Sequence, residues 1–177
     1  MFYFTMRDTT ETYLVFMARE KLDNPTLEAL GAYPNQDALF VITEENVSAN
    51  LVYAQWQALD ITETITAGWV YENLILPLTY DRIEEKKINE STWFVITPER
   101  SFFVSERLET LVAKDYMSYG IAEQLTFPVL RESESLSLKE TMQTMIRILK
   151  KHYAEVMHDT YVYALKQKRF VDWEEIV

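Results

Sequence analysis

Cysteine is absent from the 177 residues, so disulfides, Cys-ligated zinc and thiol catalysis are excluded. Glycine occurs only at Gly31, Gly68 and Gly120. With so few, tight phosphate-cradling loops are hard to build, and neither a Gly-x-Gly-x-x-Gly nor a Walker loop is present. A Gly-x-Ser-x-Gly elbow is missing as well. No apolar run approaches the roughly 20 residues that cross a bilayer. The opening MFYFTMRD lacks the basic and apolar regions of a signal peptide, which leads us to expect a soluble, cytoplasmic chain. Basic residues are scarce: 17 Lys and Arg stand against 28 Asp and Glu, a net charge of −11. Phosphates would be repelled, which argues against nucleic-acid binding and permits a cationic partner or a divalent ion.

Histidine is also rare. His152 and His158, six positions apart, point to different sides of a helix and cannot share one metal as i, i+4 pairs do. Solvated or hydrogen-bonded helix histidines are the simpler reading. The adjacent acids Glu44/Glu45, Glu84/Glu85 and Glu174/Glu175 have the composition of a solvated surface. General acid–base chemistry needs two groups facing across a cleft, which nothing in their spacing requires. A weak Mg²⁺ site built from scattered acids such as Asp60, Glu63, Glu84, Glu85, Asp115 or Glu132 would leave little trace. The expectation is therefore a chain without catalytic residues or an obligatory cofactor, with Mg²⁺ as a weak regulatory ligand and the metal-site positions unassigned.

What the chain does have is 48% apolar and 14% aromatic residues, enough for a core. Phe2 to Met6 and Thr12 to Ala18 read as strands joined by a turn at Arg7-Asp8-Thr9-Thr10. Asn24-Pro25 reads as the start of a short helix that ends near Gly31. Tyr33 to Asp37 reads as a loop and Ala38 to Thr43 as a strand. Between Glu44 and Leu59, Val47, Leu51, Tyr53, Ala54 and Leu59 fit a helix, with Trp56 as a large anchor. Trp69 to Leu78 has the look of a strand, and Tyr80 to Glu90 of a charged loop or short helix. Thr92 to Thr97 and Ser101 to Ser105 form a hairpin around Pro98-Glu99-Arg100, presenting Trp93, Val95, Phe102 and Val104 to a core. Glu106 to Tyr119 is helical in pattern, through Leu108, Leu111, Val112 and Tyr116, with Gly120 as its C-cap. Ile121 to Leu130 suggests a further short helix.

The longest periodic stretch runs from Ser137 to Arg169, without Gly or Pro. Leu138, Met142, Met145, Ile146, Leu149, Tyr153, Val156, Met157 and Tyr163 recur at helical steps. Ser137 and Glu140 have the form of a capping box. A helix of that length would reach roughly 50 Å, more than the domain's diameter, so part of it should project. Its aromatic stripe, Tyr153, Met157, Tyr161 and Tyr163, is the expected interface, since aromatics and Met concentrate at contact cores. The fold class expected is α/β or α+β, a mixed or antiparallel sheet flanked by helices with a long C-terminal helix. The division expected is an α/β domain over 1–135 and a long amphipathic helix with a tail over 136–177.

The order of these elements carries a resemblance. WVYENLILPLTYDRIEEKKINESTWFVITPERSFFVSERLETLVA runs from an apolar strand through a charged excursion to a hairpin and a helix. It resembles the soluble cytosolic domain of CorA-type magnesium transporters, with SFFVSE at Ser101 to Glu106 in the place of that family's second hairpin strand. Ser137 to Arg169 resembles the start of the family's stalk helix. The Gly-Met-Asn pore signature and the membrane helices are absent, so membrane contact would come only through segments outside this chain. The resemblance implies a regulatory domain for divalent-cation transport, homo-oligomeric through the long helix and responsive to Mg²⁺. The second reading is a small acidic interaction protein of the inhibitor or immunity type.

Overall fold

The structure, a computed structural model, describes residues 2–43, 47–77, 92–104, 110–113, 116–120, 137–155, 159–174 and 176. The chain divides into two compact units, Met1–Pro25 with Lys114–Val177, and Thr26–Ala113.

The first unit is built on a five-stranded antiparallel sheet. It comprises β1 (Phe2–Arg7), β2 (Thr12–Ala18), β8 (Tyr116–Tyr119), β9 (Asp159–Ala164) and β10 (Arg169–Val171), in the order β10-β9-β2-β1-β8. Alternation in β1 and β2 sends Phe2, Phe4, Met6, Val15 and Met17 to one face. There they meet Met142, Met145, Ile146 and Leu149 of the helix Leu138–His152. That helix (α3) starts as its sequence requires. The Ser137 hydroxyl accepts from the Glu140 N–H at 3.3 Å, and the Glu140 carboxylate accepts from the Ser137 N–H at 3.0 Å. Substituting Ser137 by alanine should cost about 1 kcal/mol of stability, read as a lower urea midpoint with an unchanged slope. No change in midpoint would show that the cap contributes nothing.

α3 is the point at which the expected long helix fails. It has 15 residues and ends at Tyr153, whose φ of −127° and ψ of 29° are not helical. Residues 159–164 form β9 instead. Phe16 pairs with Tyr161, Val15 with Val162 and Leu14 with Tyr163. Asp159-Thr-Tyr-Val-Tyr-Ala is rich in β-branched and aromatic residues, and β2 and β10 satisfy its backbone on both sides. Val156 and Met157 lie outside the described residues.

The second unit carries the other five-stranded antiparallel sheet, order β3-β4-β5-β6-β7. Its strands are β3 (Ala32–Asn35), β4 (Ala38–Ile42), β5 (Trp93–Ile96), β6 (Ser101–Val104) and β7 (Thr110–Ala113). The β5–β6 hairpin forms as read, with Trp93 opposite Val104 and Val95 opposite Phe102. Tyr33 to Asn35, read as loop, belongs to β3; Pro34 is tolerated because β3 is an edge strand. The expected helix from Asn24 reduces to a 3₁₀ turn at Glu28–Leu30, closed by Gly31 at φ 71°.

Two helices cover this sheet, α1 (Val47–Ala58) and α2, which is α-helical over Ala67–Val70 and π-helical over Tyr71–Ile75. Phe40, Trp93, Val95, Phe102 and Val104 pack with Val52, Trp56, Val70 and Leu74. α2 replaces the strand expected over Trp69 to Leu78. The Thr66 hydroxyl accepts from the Trp69 N–H at 3.1 Å and starts the helix, and Val70 and Leu74 then share its buried side. The helix expected over Glu106 to Tyr119 is likewise replaced by β7 and β8, each paired with a distant strand. Tyr80 to Glu90 and Ile121 to Leu130 lie outside the described residues.

Candidate functional site

β1 is hydrogen-bonded on both sides, by β2 and β8. Its odd positions, Tyr3, Thr5 and Arg7, face away from α3, because successive side chains alternate. All three are buried, and Tyr3 packs edge-on against Phe16 of β2. Thr5 and Arg7 therefore give an otherwise apolar strand a buried hydroxyl and a buried guanidinium on one side. Tyr161 of β9 carries a further hydroxyl in this sheet. Its hydroxyl accepts from the Leu22 N–H at 2.7 Å and ties down the segment after β2.

The far end of the same strands is held by a carboxylate. Glu11 is only 5% exposed. One of its oxygens accepts from the N–H of Thr12 and of Lys166, both at 2.8 Å, and the other from the N–H of Gln167 at 3.3 Å. The turns β1–β2 and β9–β10 are thus joined through one side chain, and the Lys166 ammonium adds a bond to the Thr9 carbonyl at 3.2 Å. Beside it, Asp8 accepts from the N–H groups of Thr10 and Glu11 at 2.6 and 3.0 Å. Burial pushes the Asp8 carboxyl up. The hydrogen bonds from Thr10 and Glu11 and the charge of Lys166 outweigh this, and its pKa falls below the usual carboxylate value. The stabilisation from Asp8 is therefore present above the ordinary carboxylate pKa and is lost as pH falls through the lowered value. Burial, then the charges of Glu11 and Asp8, raise the Tyr13 phenol.

A shallow cleft that carries polar groups occurs in each unit. In the first, a space of about 300 Å³ is lined by Tyr13, Gln167, Arg169, Phe170 and Asp172. In the second, about 330 Å³ is bordered by Asp37, Glu63, Glu99, Thr62, Thr64 and Thr97. Of the acids named as conceivable metal ligands, Glu63 borders that cleft. Asp60 lies just before it and accepts from the Gln36 amide at 3.4 Å. Glu84, Glu85, Asp115 and Glu132 lie outside the described residues, as do the pair Glu44/Glu45 and Glu175. Among the described residues no group of three or more His, Asp or Glu side chains comes together to hold a metal ion. His152 is the exposed last residue of α3, and His158 lies outside the described residues.

The four residues expected to form a helical interface are not on one helix. Tyr153 caps the C-terminus of α3 and packs on the core beneath it. Tyr161 and Tyr163 lie on β9, where Tyr163 packs edge-on against Phe170. Met157 lies outside the described residues.

No protein-family model matches the sequence, and no curated protein matches it. Solved structures do match, almost end to end. BPH from Thiobacillus denitrificans, in complex with epoxomicin, is 9% identical with a TM-score of 0.64, over 93% of this chain and 97% of that one. Eukaryotic HslV from Trypanosoma brucei is 10% identical with a TM-score of 0.59, over 93% and 98%. Anbu, the ancestral β-subunit, from Yersinia bercovieri is 13% identical with a TM-score of 0.59, over 93% and 80%. The chain has the fold of the HslV-type subunits.

That fold overturns the CorA-like reading and the magnesium-transport role drawn from it. The passage from Trp69 onward that suggested it is a helix followed later by a hairpin and two strands that serve different sheets. The reading as an inhibitor or immunity-type protein fails for the same reason, and so does the expectation that the chain is not an enzyme, since the structures sharing its fold are of peptidase type. Among the described residues no helix is long and apolar enough to cross a membrane.

The signal for this fold was present in the sequence only as pattern. The Phe2–Ala18 hairpin, read correctly, is the first pair of strands in the N-terminal sheet. Nothing in its composition distinguishes it from any other buried hairpin.

Proposed function

We propose that the protein is a peptidase-type subunit of the HslV/proteasome-β class that works as a homo-oligomer. The observation that carries this reading is the match of the chain, nearly end to end, to BPH and HslV. Hydrolases of the N-terminal-nucleophile type use the side chain of a terminal residue as nucleophile and its own amine as base. With no Cys in the chain, the nucleophile must be a hydroxyl.

Thr5 is the first Thr or Ser in the sequence, and it lies on β1. Hydrolysis of the Phe4–Thr5 bond would consume one water, release Met1 to Phe4 and place a free amine beside the Thr5 hydroxyl. The bond is well guarded. Phe2 and Phe4 are fully buried against the α3 core, and each contributes about 2 kcal/mol. Processing there would exchange part of β1 for a reactive terminus. An α-amino group titrates near pH 7.7–8.0, roughly, so hydrolysis should rise with pH as the amine loses its proton.

Intact-mass spectrometry after incubation with epoxomicin tests this, with peptide hydrolysis followed in parallel. The expected result is a chain beginning at Thr5 that gains one inhibitor mass, with Thr5→Ala inactive and Thr5→Ser active. A chain that keeps Phe2 to Phe4, takes up no inhibitor and hydrolyses no peptide would overturn the reading.

A further inference from the structure

β2, β9 and β10 lie side by side, and their register puts Tyr13, Ala164 and Arg169 in one row across the sheet. Tyr13 packs with the α3 core, as does Val171, two places after Arg169 on the same strand. The whole row therefore stands on the α3 face, because side chains alternate along a strand. Its middle member is the smallest, and Ala164 is fully buried. The Cα atoms of Tyr13 and Arg169 are two strand spacings apart, roughly 10 Å. A long phenol and a long guanidinium thus flank a notch over a methyl group. Both side chains line the cleft of about 300 Å³ in the first unit.

Neither group is used up by the fold. Among the described residues the half-buried Tyr13 hydroxyl makes no hydrogen bond. Arg169 is exposed, and its Nε–H donates to the Gln167 side-chain oxygen at 3.0 Å. That bond leaves both Nη groups of the guanidinium as a planar pair of donors. Gln167 is itself fixed, since the Glu11 carboxylate accepts from its N–H at 3.3 Å. The guanidinium is thus held through Gln167 by a buried carboxylate, while Tyr13 is held by its strand. Ordering two donors before a ligand arrives lowers the entropy lost on binding.

We propose that this cleft binds a carboxylate carried on an apolar body, as at the C-terminus of a peptide that ends in an aliphatic residue. The Nη pair of Arg169 matches the two oxygens of a carboxylate, and the Tyr13 hydroxyl supplies a further donor. Val171 and Ile176, both half-buried, line the same cleft and receive the aliphatic side chain. Asp172 decides the charge of the ligand. It stands on the cleft, and the charges of Glu11 and Asp8 already act on the Tyr13 phenol, so a dianion such as phosphate is repelled where a single carboxylate is held. One Asp172 oxygen accepts from the Glu174 N–H at 2.9 Å. Its other oxygen is an acceptor for an N–H, which a peptide has and a simple carboxylic acid lacks.

Thr5 has no part in this binding, so it stands or falls apart from the peptidase reading. The full chain is titrated by NMR with N-acetyl-leucine, its neutral amide, 4-methylpentanoate and inorganic phosphate. The expected result is a saturable shift of the Tyr13, Gln167 and Arg169 amides with N-acetyl-leucine and none with the amide or with phosphate. Arg169→Gln should weaken binding at least about tenfold and Tyr13→Phe about threefold. Arg147→Gln, on the exposed side of α3, should bind as the wild type does. Thermal unfolding of all three variants should match the wild type. Weaker binding of 4-methylpentanoate than of N-acetyl-leucine supports a peptide end. Equal binding of the two supports the same carboxylate site with a free acid as its source. Absence of a saturable shift with either acid overturns the site, as does equal binding of the amide, tighter binding of phosphate, or an Arg169→Gln variant that binds as the wild type does.

Discussion

Glu11→Ala should lower the stability of the protein by about 3 kcal/mol. The carboxylate accepts three backbone N–H groups, from Thr12, Lys166 and Gln167, and hardly touches solvent. Alanine removes the acceptor and leaves those donors in a site that water enters poorly. Charge-assisted bonds to a carboxylate are about twice as strong as neutral ones, so the loss exceeds that of an ordinary side-chain hydrogen bond. It also falls at one place, because Glu11 is the link between the turns β1–β2 and β9–β10. Urea unfolding measures the total. Hydrogen exchange at the amides of Lys166 and Gln167 localises it, since those amides should exchange much faster than the neighbouring amides of β9. Glu11→Gln keeps an acceptor oxygen and should lie between the two. An alanine variant as stable as the wild type would show that water replaces the carboxylate without cost, and that the two turns are held by their strands alone.

Trp56→Ala should cost about 4 kcal/mol. Trp56 is fully buried, stacks on Phe40 at a centroid distance of 5.8 Å and fixes α1 on its sheet. Its indole N–H donates to the Tyr33 carbonyl at 3.0 Å. The substitution therefore opens a large cavity and strands the acceptor of that bond. Its backbone carbonyl is used as well: the Asn35 amide donates to the carbonyls of Trp56 and Leu59, at 2.9 and 3.0 Å, and closes the C-terminal end of α1. Trp56→Phe keeps much of the volume and loses the N–H, and a cost well under half that of alanine is expected. Equal losses for Phe and Ala would locate the energy in the hydrogen bond and not in the packing.

Several local elements around the candidate site were legible before the fold was known, but the site residues themselves were not. The strands on either side of Asp8, the capping box at Ser137 and Glu140, the β5–β6 hairpin and the anchor at Trp56 were each decided by neighbours a few residues away. Asp8 turns the chain with its own carboxylate, and Ser137 and Glu140 satisfy each other's backbone. Short-range chemistry of that kind can be read along a chain. Glu11 could not be singled out in the same way. Its partners Lys166 and Gln167 lie at the opposite end of the sequence, and only closure of the sheet brings them to it.

The larger errors share one physical cause. Tyr153 to Arg169, Trp69 to Leu78 and Glu106 to Tyr119 are apolar enough to satisfy either a helical or a strand period. An apolar run settles according to where its backbone groups find partners. For residues 159–164 that partner is β2, whose residues precede them by most of the chain's length, and a sheet edge offered from so far away leaves no local mark. By itself the sequence determined that the protein has no thiol chemistry, that it has the apolar and aromatic residues for a substantial core, that its net charge is strongly negative, and where its tightest turns and caps fall. The tertiary structure alone decided that the last third returns to the first sheet, and that the two sheets together make an HslV-type fold. It did so because strand pairing is a contest between distant segments, settled by which hydrogen-bonding edges are free when the chain closes.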